Sequence, residues 1–366
     1  MTTIDTRARE AVKAMATPTY KPGTSIEEVK RALRLSSVIK LASNENALGP
    51  SPKAMAALRA ATSTLHRYPD STCRALRERV AKRLRVPPAS LIFGNGSDEL
   101  IVLALRAFVD PGDEVVVAAP TFLIYELQAK ACGASVVVVP LRTYRYDLAA
   151  MRKAITPHTK LVFIANPDNP TGTYVNKREV QAFLRDLPLE TIVFLDEAYY
   201  EFVEAADYPQ TLSYVNERAL IVTRSFSKAY GLAGLRIGYG LAQPSLIAAM
   251  DAVREPFNVN SLAQAAAAAA LDDRAFLLRT RRMVAEGRRY LTKAFENLKL
   301  RYVPGVTNFI LLELGPRASG IAEALLSRGV IVREMSAWNL TGCLRVTIGT
   351  MAESRKFIRA LKQCLR

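Results

Sequence analysis

Histidine and cysteine are scarce in this chain, which contains two histidines, His66 and His158, and four cysteines in 366 residues. The cysteines lie far apart and form no Cys-x-x-Cys pair: Cys73, Cys132, Cys343 and Cys364. The sequence therefore predicts neither a zinc site nor a disulfide framework. Because there are only two histidines, far apart in the sequence, most metal sites and catalytic triads that use histidine are excluded. We expect reduced thiols, no bound metal, and chemistry that depends on other side chains.

Long hydrophobic runs are missing as well. The apolar runs at residues 115–119 and 136–139 are far too short to cross a bilayer and predict buried strands instead. The first ten residues include Asp5, Arg7 and Glu10 and lack the apolar stretch of a signal peptide. We expect a cytoplasmic protein with no membrane span.

The net charge is +16, which raises the question of nucleic-acid binding. The basic residues are dispersed along the chain, and the densest cluster, at residues 279–289, also contains Glu286 and has no interleaved aromatic residue. This pattern is typical of a solvated helix face. We expect no nucleic-acid partner, and we expect the charge to attract small anionic substrates.

The order of strand-like and helix-like segments predicts an α/β fold with two domains. Short β-rich runs alternate with helical stretches between residues 90 and 240, which predicts a mostly parallel sheet covered by helices on both faces. Candidate strands are residues 91–93, 114–118, 135–139, 161–165, 191–195 and 220–224. Long helical patterns follow, at 262–271 and 279–298, and then a smaller α+β portion with strands at 308–312, 329–333 and 344–348. We expect a large domain at 45–255 and a small domain at 256–366.

Polar residues cluster directly after several of these strands, at residues 94–98, 166–172, 196–199 and 225–228. Open α/β sheets bind ligands outside the carboxyl ends of their strands. The sequence therefore predicts a ligand site where these clusters meet.

Residues 225–239 read S-F-S-K-A-Y-G-L-A-G-L-R-I-G-Y. This string resembles the cofactor-lysine signature of the aspartate-aminotransferase-like superfamily, in which a lysine amine forms a Schiff base with pyridoxal 5′-phosphate. The resemblance makes Lys228 the covalent anchor and the catalytic residue. An amine is required there because a substrate amine can replace it, after which the freed lysine can move a proton. The alternative is an exposed lysine in a loop.

The same resemblance assigns residues to the cofactor phosphate. Ser225 and Arg236 match the positions that hold it, and a guanidinium fork suits a phosphate because it donates two hydrogen bonds. The turn at Ser97 and Asp98 opens a predicted helix whose backbone N–H groups would face the same phosphate. A simple capped turn is the alternative for this segment, since it lacks the third glycine of a dinucleotide fingerprint.

Four other positions match family residues that contact the cofactor ring. Asp196 can keep the pyridine nitrogen protonated, although it could also serve as a helix N-cap. Asn169 and Tyr199 lie in strings that resemble N-P-x-N-P-T-G and D-E-A-Y, and they match residues that bond the ring oxygen. Phe122 matches the aromatic that stacks on the ring, with a core phenylalanine as the alternative. Asp168 fills a variable position and is given no role.

Tyr68 lies in the string R-Y-P-D, which resembles an element that reaches the cofactor phosphate of the neighbouring subunit. The resemblance implies a homodimer with shared active sites.

The resemblance extends over nearly the full chain and is closest to the histidinol-phosphate aminotransferase family. It includes the strings Y-K-P-G, L-A-S-N-E-N, G-N-G-S-D-E, P-F-N-V-N and L-R-V-T-I-G-T. Members transfer an amino group between histidinol phosphate and 2-oxoglutarate in histidine biosynthesis. The family often has proline after N-E-N, where this chain has Ala47, a difference that removes no chemical group.

A substrate with a phosphate ester needs cationic groups at that end. Arg345 matches the arginine that binds the substrate carboxylate across the superfamily, and Arg333 matches a second arginine of the subgroup, with a surface ion pair as its alternative. Tyr20 and Asn44 are expected to complete the substrate pocket. The family's N-terminal segment folds over the site, so residues 1–44 are predicted to form such an arm.

Other functions of the same fold remain open at this point. An aromatic amino-acid aminotransferase or a threonine-phosphate decarboxylase would have the same cofactor pocket. A catalytically silent aminotransferase-like regulator would need an added DNA-binding segment, for which we find no room in the chain.

Overall fold

The computed structural model of the chain describes residues 7–13, 15 and 25–366. Its strands are β1 Ile39–Leu41, β2 Leu91–Gly94, β3 Glu114–Ala119, β4 Ser135–Pro140, β5 Thr159–Ala165, β6 Ile192–Asp196, β7 Leu220–Ser225, β8 Gly238–Leu241, β9 Arg301–Val303, β10 Phe309–Glu313, β11 Val330–Glu334 and β12 Cys343–Thr347. Its α-helices are α1 Glu10–Lys13, α2 Ile26–Leu33, α3 Pro52–Ala61, α4 Arg74–Leu84, α5 Ser97–Phe108, α6 Ile124–Cys132, α7 Leu148–Lys153, α8 Lys177–Arg185, α9 Pro244–Ala252, α10 Ser261–Leu271, α11 Arg274–Asn297, α12 Ala318–Leu326 and α13 Met351–Cys364.

In the described part of the chain the strands form two sheets. The larger has seven strands in the order β2-β8-β7-β6-β5-β3-β4, and only β8 runs opposite to the others. The smaller has five strands in the order β1-β11-β12-β10-β9. The predicted fold class, a large domain with a mostly parallel sheet and a smaller α+β domain, is confirmed.

The central strands of the larger sheet are buried on both faces. Every residue of β6 and β7 is buried, and their sequences, I-V-F-L-D and L-I-V-T-R-S, are rich in β-branched and large apolar residues. Such continuous apolar strands are typical of a parallel sheet covered by helices. The polar residues that end these strands, Asp196 and Ser225, therefore emerge at one edge of a rigid platform.

The alanine-rich helix α10 packs closely against α3 and α4. Ala263, Ala266, Ala267 and Ala270 are buried on the packed side. Alanine has no side chain beyond Cβ, so the helix backbones can approach each other closely. This contact ties α10 to the helices of the larger sheet.

The smaller sheet takes one strand from the N-terminal part of the chain. β1 pairs in parallel with β11, so the chain leaves this sheet at Leu41 and passes through residues 42–46 into the larger unit. The predicted domain boundaries at residues 44 and 255 stay predictions.

Strand β8 was not predicted, because Gly238 and Gly240 make its sequence typical of a turn. In the sheet these glycines allow close approach: a Cβ on Gly240 would lie 3.0 Å from Cγ2 of Ile92, and a Cβ on Gly238 would lie 2.6 Å from the backbone nitrogen of Ser97. β8 and β7 form an antiparallel pair whose connection carries Lys228. Among the described helices, none is both long and apolar enough to cross a membrane.

Candidate active site

A cavity of about 180 Å³ opens at the carboxyl ends of β5, β6 and β7. Nine of the ten residues that the sequence assigns to the cofactor line it: Ser97, Asp98, Phe122, Asn169, Asp196, Tyr199, Ser225, Lys228 and Arg236. A larger groove of about 800 Å³, lined by parts of α7 and α8, contains none of the predicted site residues, so its size does not make it the site. We call the smaller one the cofactor cavity.

Lys228 lies in the turn after β7, with its Nζ 3.4 Å from the carbonyl oxygen of Ser43 and 5.8 Å from the ring centre of Tyr199. Burial, and after it the positive charge of Arg345, lowers the pKa of Lys228 to about 8. A lysine with a lowered pKa is neutral more often near neutral pH and is therefore a better nucleophile and base.

One end of the cofactor cavity has the chemistry of an anion site. Helix α5 begins at Ser97, so its free backbone N–H groups face the cavity, and Gly238 leaves the space beside the nitrogen of Ser97 open. Arg236 extends across this helix start, with Nη2 3.3 Å from Oδ2 of Asp98 and Nη1 3.5 Å from Oγ of Ser227. Helix N–H groups, a guanidinium and serine hydroxyls together fit a phosphate group. Ser227 was not identified from the sequence.

Asp196 lines the same cofactor cavity, at the end of β6. Its Oδ2 accepts a hydrogen bond of 2.7 Å from the hydroxyl of Tyr125, and its Oδ1 accepts bonds from the backbone N–H of Ala198 at 3.1 Å and the hydroxyl of Thr223 at 3.3 Å. Burial raises the pKa of Asp196 to about 6. A buried carboxylate held in this way suits a cationic ring nitrogen. Tyr125 was missed, although it lies three residues after Phe122 in the same loop and helix.

The cofactor cavity is also lined by Phe122, Asn169 and Tyr199. Phe122 is half-buried and meets Tyr125 edge to face at 5.5 Å. The hydroxyl of Tyr199 accepts a hydrogen bond of 2.9 Å from Nδ2 of Asn44, and burial raises the pKa of Tyr199 to about 12. Asn44, which is expected in the substrate pocket, therefore also supports Tyr199, which lines the cofactor cavity.

A second cavity of about 100 Å³ adjoins the first, and we call it the substrate cavity. The two share four lining residues: Phe122, Asn169, Tyr199 and Lys228. Three of the four residues assigned to the substrate line it: Asn44, Arg333 and Arg345. The fourth, Tyr20, lies outside the described residues. Lys228 thus lies between the two cavities, where its amine could be replaced by the amine of a substrate.

Arg333 and Arg345 are direct cross-strand partners on β11 and β12. Arg345 is buried, and it donates from Nη2 to the carbonyl oxygen of Ala42 at 2.9 Å and from Nη1 to Oδ1 of Asn169. Arg333 lies over the ring of Trp338, with Cζ 5.1 Å from the ring centre. Trp338 lines the same cavity and was not identified from the sequence.

Tyr68 does not line the cofactor cavity of its own chain. Its side chain is 83% exposed and stacks on Phe257 with ring centres 4.7 Å apart. Its expected role at a neighbouring subunit stays a prediction.

Asp168, which was given no role, joins two loops of the cofactor cavity. Its Oδ1 accepts a 2.6 Å hydrogen bond from Thr121, the neighbour of Phe122, and its Oδ2 accepts a 2.8 Å bond from the hydroxyl of Thr171. Tyr146 continues the network, because its hydroxyl lies 2.6 Å from Oγ1 of Thr121 and accepts from the N–H of Ala165. Burial raises the pKa of Asp168 to about 6. The loops that carry Phe122 and Asn169 are therefore held together through one carboxyl group.

Comparison with known proteins agrees with this geometry. Residues 36–361 match the family model for aminotransferase class I and II. The chain is 48% identical over 361 residues to a histidinol-phosphate aminotransferase of Moorella thermoacetica, covering 98% of this chain and 93% of the relative. It is 47% identical to a histidinol-phosphate aminotransferase of Geobacillus thermodenitrificans, covering 95% of this chain and 96% of the relative.

Solved structures give the same result. The histidinol-phosphate aminotransferase of Sinorhizobium meliloti, solved in complex with pyridoxal-5′-phosphate, superposes with a TM-score of 0.89 at 30% identity, covering 99% of this chain and 98% of that one. The aspartate aminotransferase of Thermus thermophilus, solved with maleate, has a TM-score of 0.83 at 24% identity, with 98% and 99% covered, and shows the shared fold.

Proposed function

Because the chain belongs to the class I and II aminotransferase family, we propose that it transfers an amino group between histidinol phosphate and 2-oxoglutarate, with pyridoxal 5′-phosphate as its cofactor. The products are imidazole-acetol phosphate and glutamate, and the reaction belongs to histidine biosynthesis. The relatives at 47 to 48% identity over nearly the full chain support this activity.

The cofactor cavity fits pyridoxal phosphate at three points. The start of α5, Ser225 and Arg236 would hold the phosphate, Asp196 would face the ring nitrogen, and Lys228 would hold the cofactor covalently. The cofactor supplies an aldehyde that exchanges between amines and a ring that withdraws electrons from the substrate.

Each side chain has a defined task in this reaction. The amine of Lys228 would take a proton from the α-carbon of the substrate and give it back on the cofactor side. The carboxylate of Asp196, which accepts a hydrogen bond from Tyr125, would keep the ring nitrogen protonated. Asn169 and Tyr199 would hydrogen-bond the ring oxygen, and Phe122 would cover one face of the ring.

The proposed substrate rests on one observation, the pair Arg333 and Arg345. Two guanidinium groups start from directly opposed positions on neighbouring strands and line one cavity. Like charges placed directly opposite each other destabilise a sheet, and an anion bound by both guanidinium groups would offset this repulsion. A phosphate monoester carries more charge and more acceptor oxygens than a carboxylate and can use both guanidinium forks.

A half-reaction screen tests the proposal. Cofactor-loaded protein is mixed with histidinol phosphate, glutamate, phenylalanine or threonine phosphate, and the absorbance of the cofactor is followed. Histidinol phosphate and glutamate should convert the cofactor to its aminated form fast, while histidinol, which lacks the phosphate, should be a poor substrate. A faster reaction with phenylalanine, or carbon dioxide release from threonine phosphate, would assign one of the other activities of this fold.

We also propose a homodimer with shared active sites and a cytoplasmic location. The exposed pair of Tyr68 and Phe257 supports the dimer, because two large aromatic rings stacked on a surface are typical of an interface. Four cysteines without a disulfide support a reducing compartment.

A further inference from the structure

Trp338 is the one tryptophan of the sequence, and it lines the substrate cavity together with Arg333 and Arg345. It ends a short 3₁₀ helix, Ser336–Trp338, in the connection from β11 to β12. These are the strands that carry Arg333 and Arg345. The connection therefore returns an aromatic ring to the site that its own flanking strands form.

The ring of Trp338 contacts both guanidinium groups. Its centre lies 5.1 Å from Cζ of Arg333 and 5.9 Å from Cζ of Arg345. Both distances are within the range of about 6 Å in which an aromatic face attracts a cation, and indole is the strongest aromatic partner for this interaction. One ring thus offsets part of the repulsion between two like charges.

The position of the ring is fixed from behind. Trp338 is 3% exposed and packs in a core cluster with Val303, Leu311, Met335 and Cys343. A side chain in such a cluster cannot swing away without opening a void. It therefore gives the guanidinium groups a rigid surface, which makes a preorganised site for an anion.

The two arginines lie at different distances from this surface. Arg345, the more distant one, donates hydrogen bonds to the backbone carbonyl oxygen of Ala42 and to the side-chain Oδ1 of Asn169, and these contacts do not involve residue 338. Arg333 is half-buried and lies against the indole ring at the shorter distance. A change at Trp338 should therefore disturb Arg333 more than Arg345.

We propose that Trp338 is a specificity-determining residue, which aligns Arg333 with Arg345 so that the site prefers a phosphate monoester to a carboxylate. This inference rests on the proposed function. A carboxylate needs mainly Arg345, whereas a phosphate uses both forks. Loss of the indole ring should therefore reduce selectivity for the phosphate substrate and leave the amino-acid substrate largely unaffected.

The test compares Trp338→Leu and Trp338→Phe with the wild type in both half-reactions. For histidinol phosphate, Trp338→Leu should lower kcat/KM about 5- to 30-fold, mainly through KM, because it removes a desolvated cation–π contact. For glutamate the change should stay within about 3-fold. Trp338→Phe, which keeps an aromatic face, should retain most of the selectivity. Phe357→Leu, a buried aromatic in the core of the same unit away from the cavity, is the matched control and should leave the ratio of the two substrates unchanged.

Inorganic phosphate provides a second readout that does not need histidinol phosphate turnover. It should inhibit the glutamate half-reaction of the cofactor-loaded enzyme competitively, and about 5- to 30-fold more weakly in Trp338→Leu. If the wild type ignores histidinol phosphate but shows this difference, the proposed function fails and the role of Trp338 stands. If histidinol phosphate is converted and Trp338→Leu loses equally on both substrates, the role of Trp338 is overturned. Should the leucine variant not bind cofactor, the substrate ratio of Trp338→Phe decides, with a shift of about 2- to 3-fold expected.

Discussion

The amine of Lys228 lies 3.4 Å from the carbonyl oxygen of Ser43, in the segment that connects β1 of the smaller sheet to the larger unit. Across the described residues, no carboxylate lies within ion-pair distance of this amine. A backbone oxygen accepts a hydrogen bond from the amine but carries no full charge, so burial and the nearby Arg345 decide its protonation.

The reactivity of Lys228 should therefore rise through a pH near 8 in the cofactor-free protein. Burial lowers its pKa from the ordinary 10.5 to about 8, so the neutral, reactive amine is present above that pH and is lost as the pH falls below it. The rate of cofactor attachment, trapped with borohydride at a series of pH values, measures this midpoint. Arg345→Gln removes a positive charge and should move the midpoint upward; a wild-type midpoint near 10.5 would contradict the shift.

Lys228→Ala should abolish transamination while leaving non-covalent cofactor binding, because Ser225, Arg236, Asp196 and Asn169 keep their positions. Borohydride treatment followed by mass determination measures covalent attachment. Lys362→Ala, an exposed lysine on α13, is the control and should behave as wild type. Covalent cofactor at wild-type stoichiometry in Lys228→Ala would make another lysine the anchor.

Arg333→Ala should reduce kcat/KM for histidinol phosphate by roughly 30- to 1000-fold, because removing a charge-assisted contact in a desolvated site costs about 2 to 4 kcal/mol. Glutamate should lose much less. Arg345→Lys keeps the charge without the planar fork and should impair both substrates. Equal losses for the two substrates in Arg333→Ala would exclude Arg333 as the residue that reads the phosphate.

The role of Tyr68 can be tested by mixing an inactive variant, Lys228→Ala, with a weakly active one, Tyr68→Phe. In a heterodimer of Lys228→Ala and Tyr68→Phe, one site carries both defects and the other carries neither, provided that Tyr68 acts across the interface. Activity should then rise above that of the unmixed parents under conditions that exchange subunits. Lys228→Ala mixed with Asn169→Ala is the matched control: Asn169 lines the cavity of its own chain, so no intact site forms. No rise in demonstrated Tyr68 heterodimers would remove Tyr68 from the partner's site.

The sequence predicts most of this fold because its central strands are continuous apolar runs with polar residues at their ends. Short apolar runs, such as those of β3 and β5, predict buried strands, and their alternation with helical stretches predicts a parallel sheet. β8 escaped prediction because glycines that lower strand propensity are there required by close packing against Ile92 and Ser97. β1 escaped because its three residues are a strand only through their pairing with Val330, Ile331 and Val332, almost 300 residues away.

The cofactor cavity could be predicted from its motif residues, but the residues that hold them could not. Tyr125 and Trp338 act through contacts with other segments, and Ser227 acts through the side chain of Arg236; the motifs themselves assign these three residues no role. Trp338 had one weak signal, since it is the one tryptophan of the chain and lies between two arginines assigned to the substrate. Its effect depends on the bend between β11 and β12, which only the folded chain shows.

The carboxyl group of Asp168 also limits how this enzyme could be re-engineered. Its hydrogen bonds run in one direction, from the N–H of Ala165 to the hydroxyl of Tyr146, on to Thr121 and finally to Asp168, so each partner's proton is already committed. A loop spanning residues 166–173 that is transplanted from another family member with a different residue at 168 would meet Thr121 and Tyr146 with mismatched donors. The loop should therefore be transplanted together with residues 121 and 146 of the same donor protein.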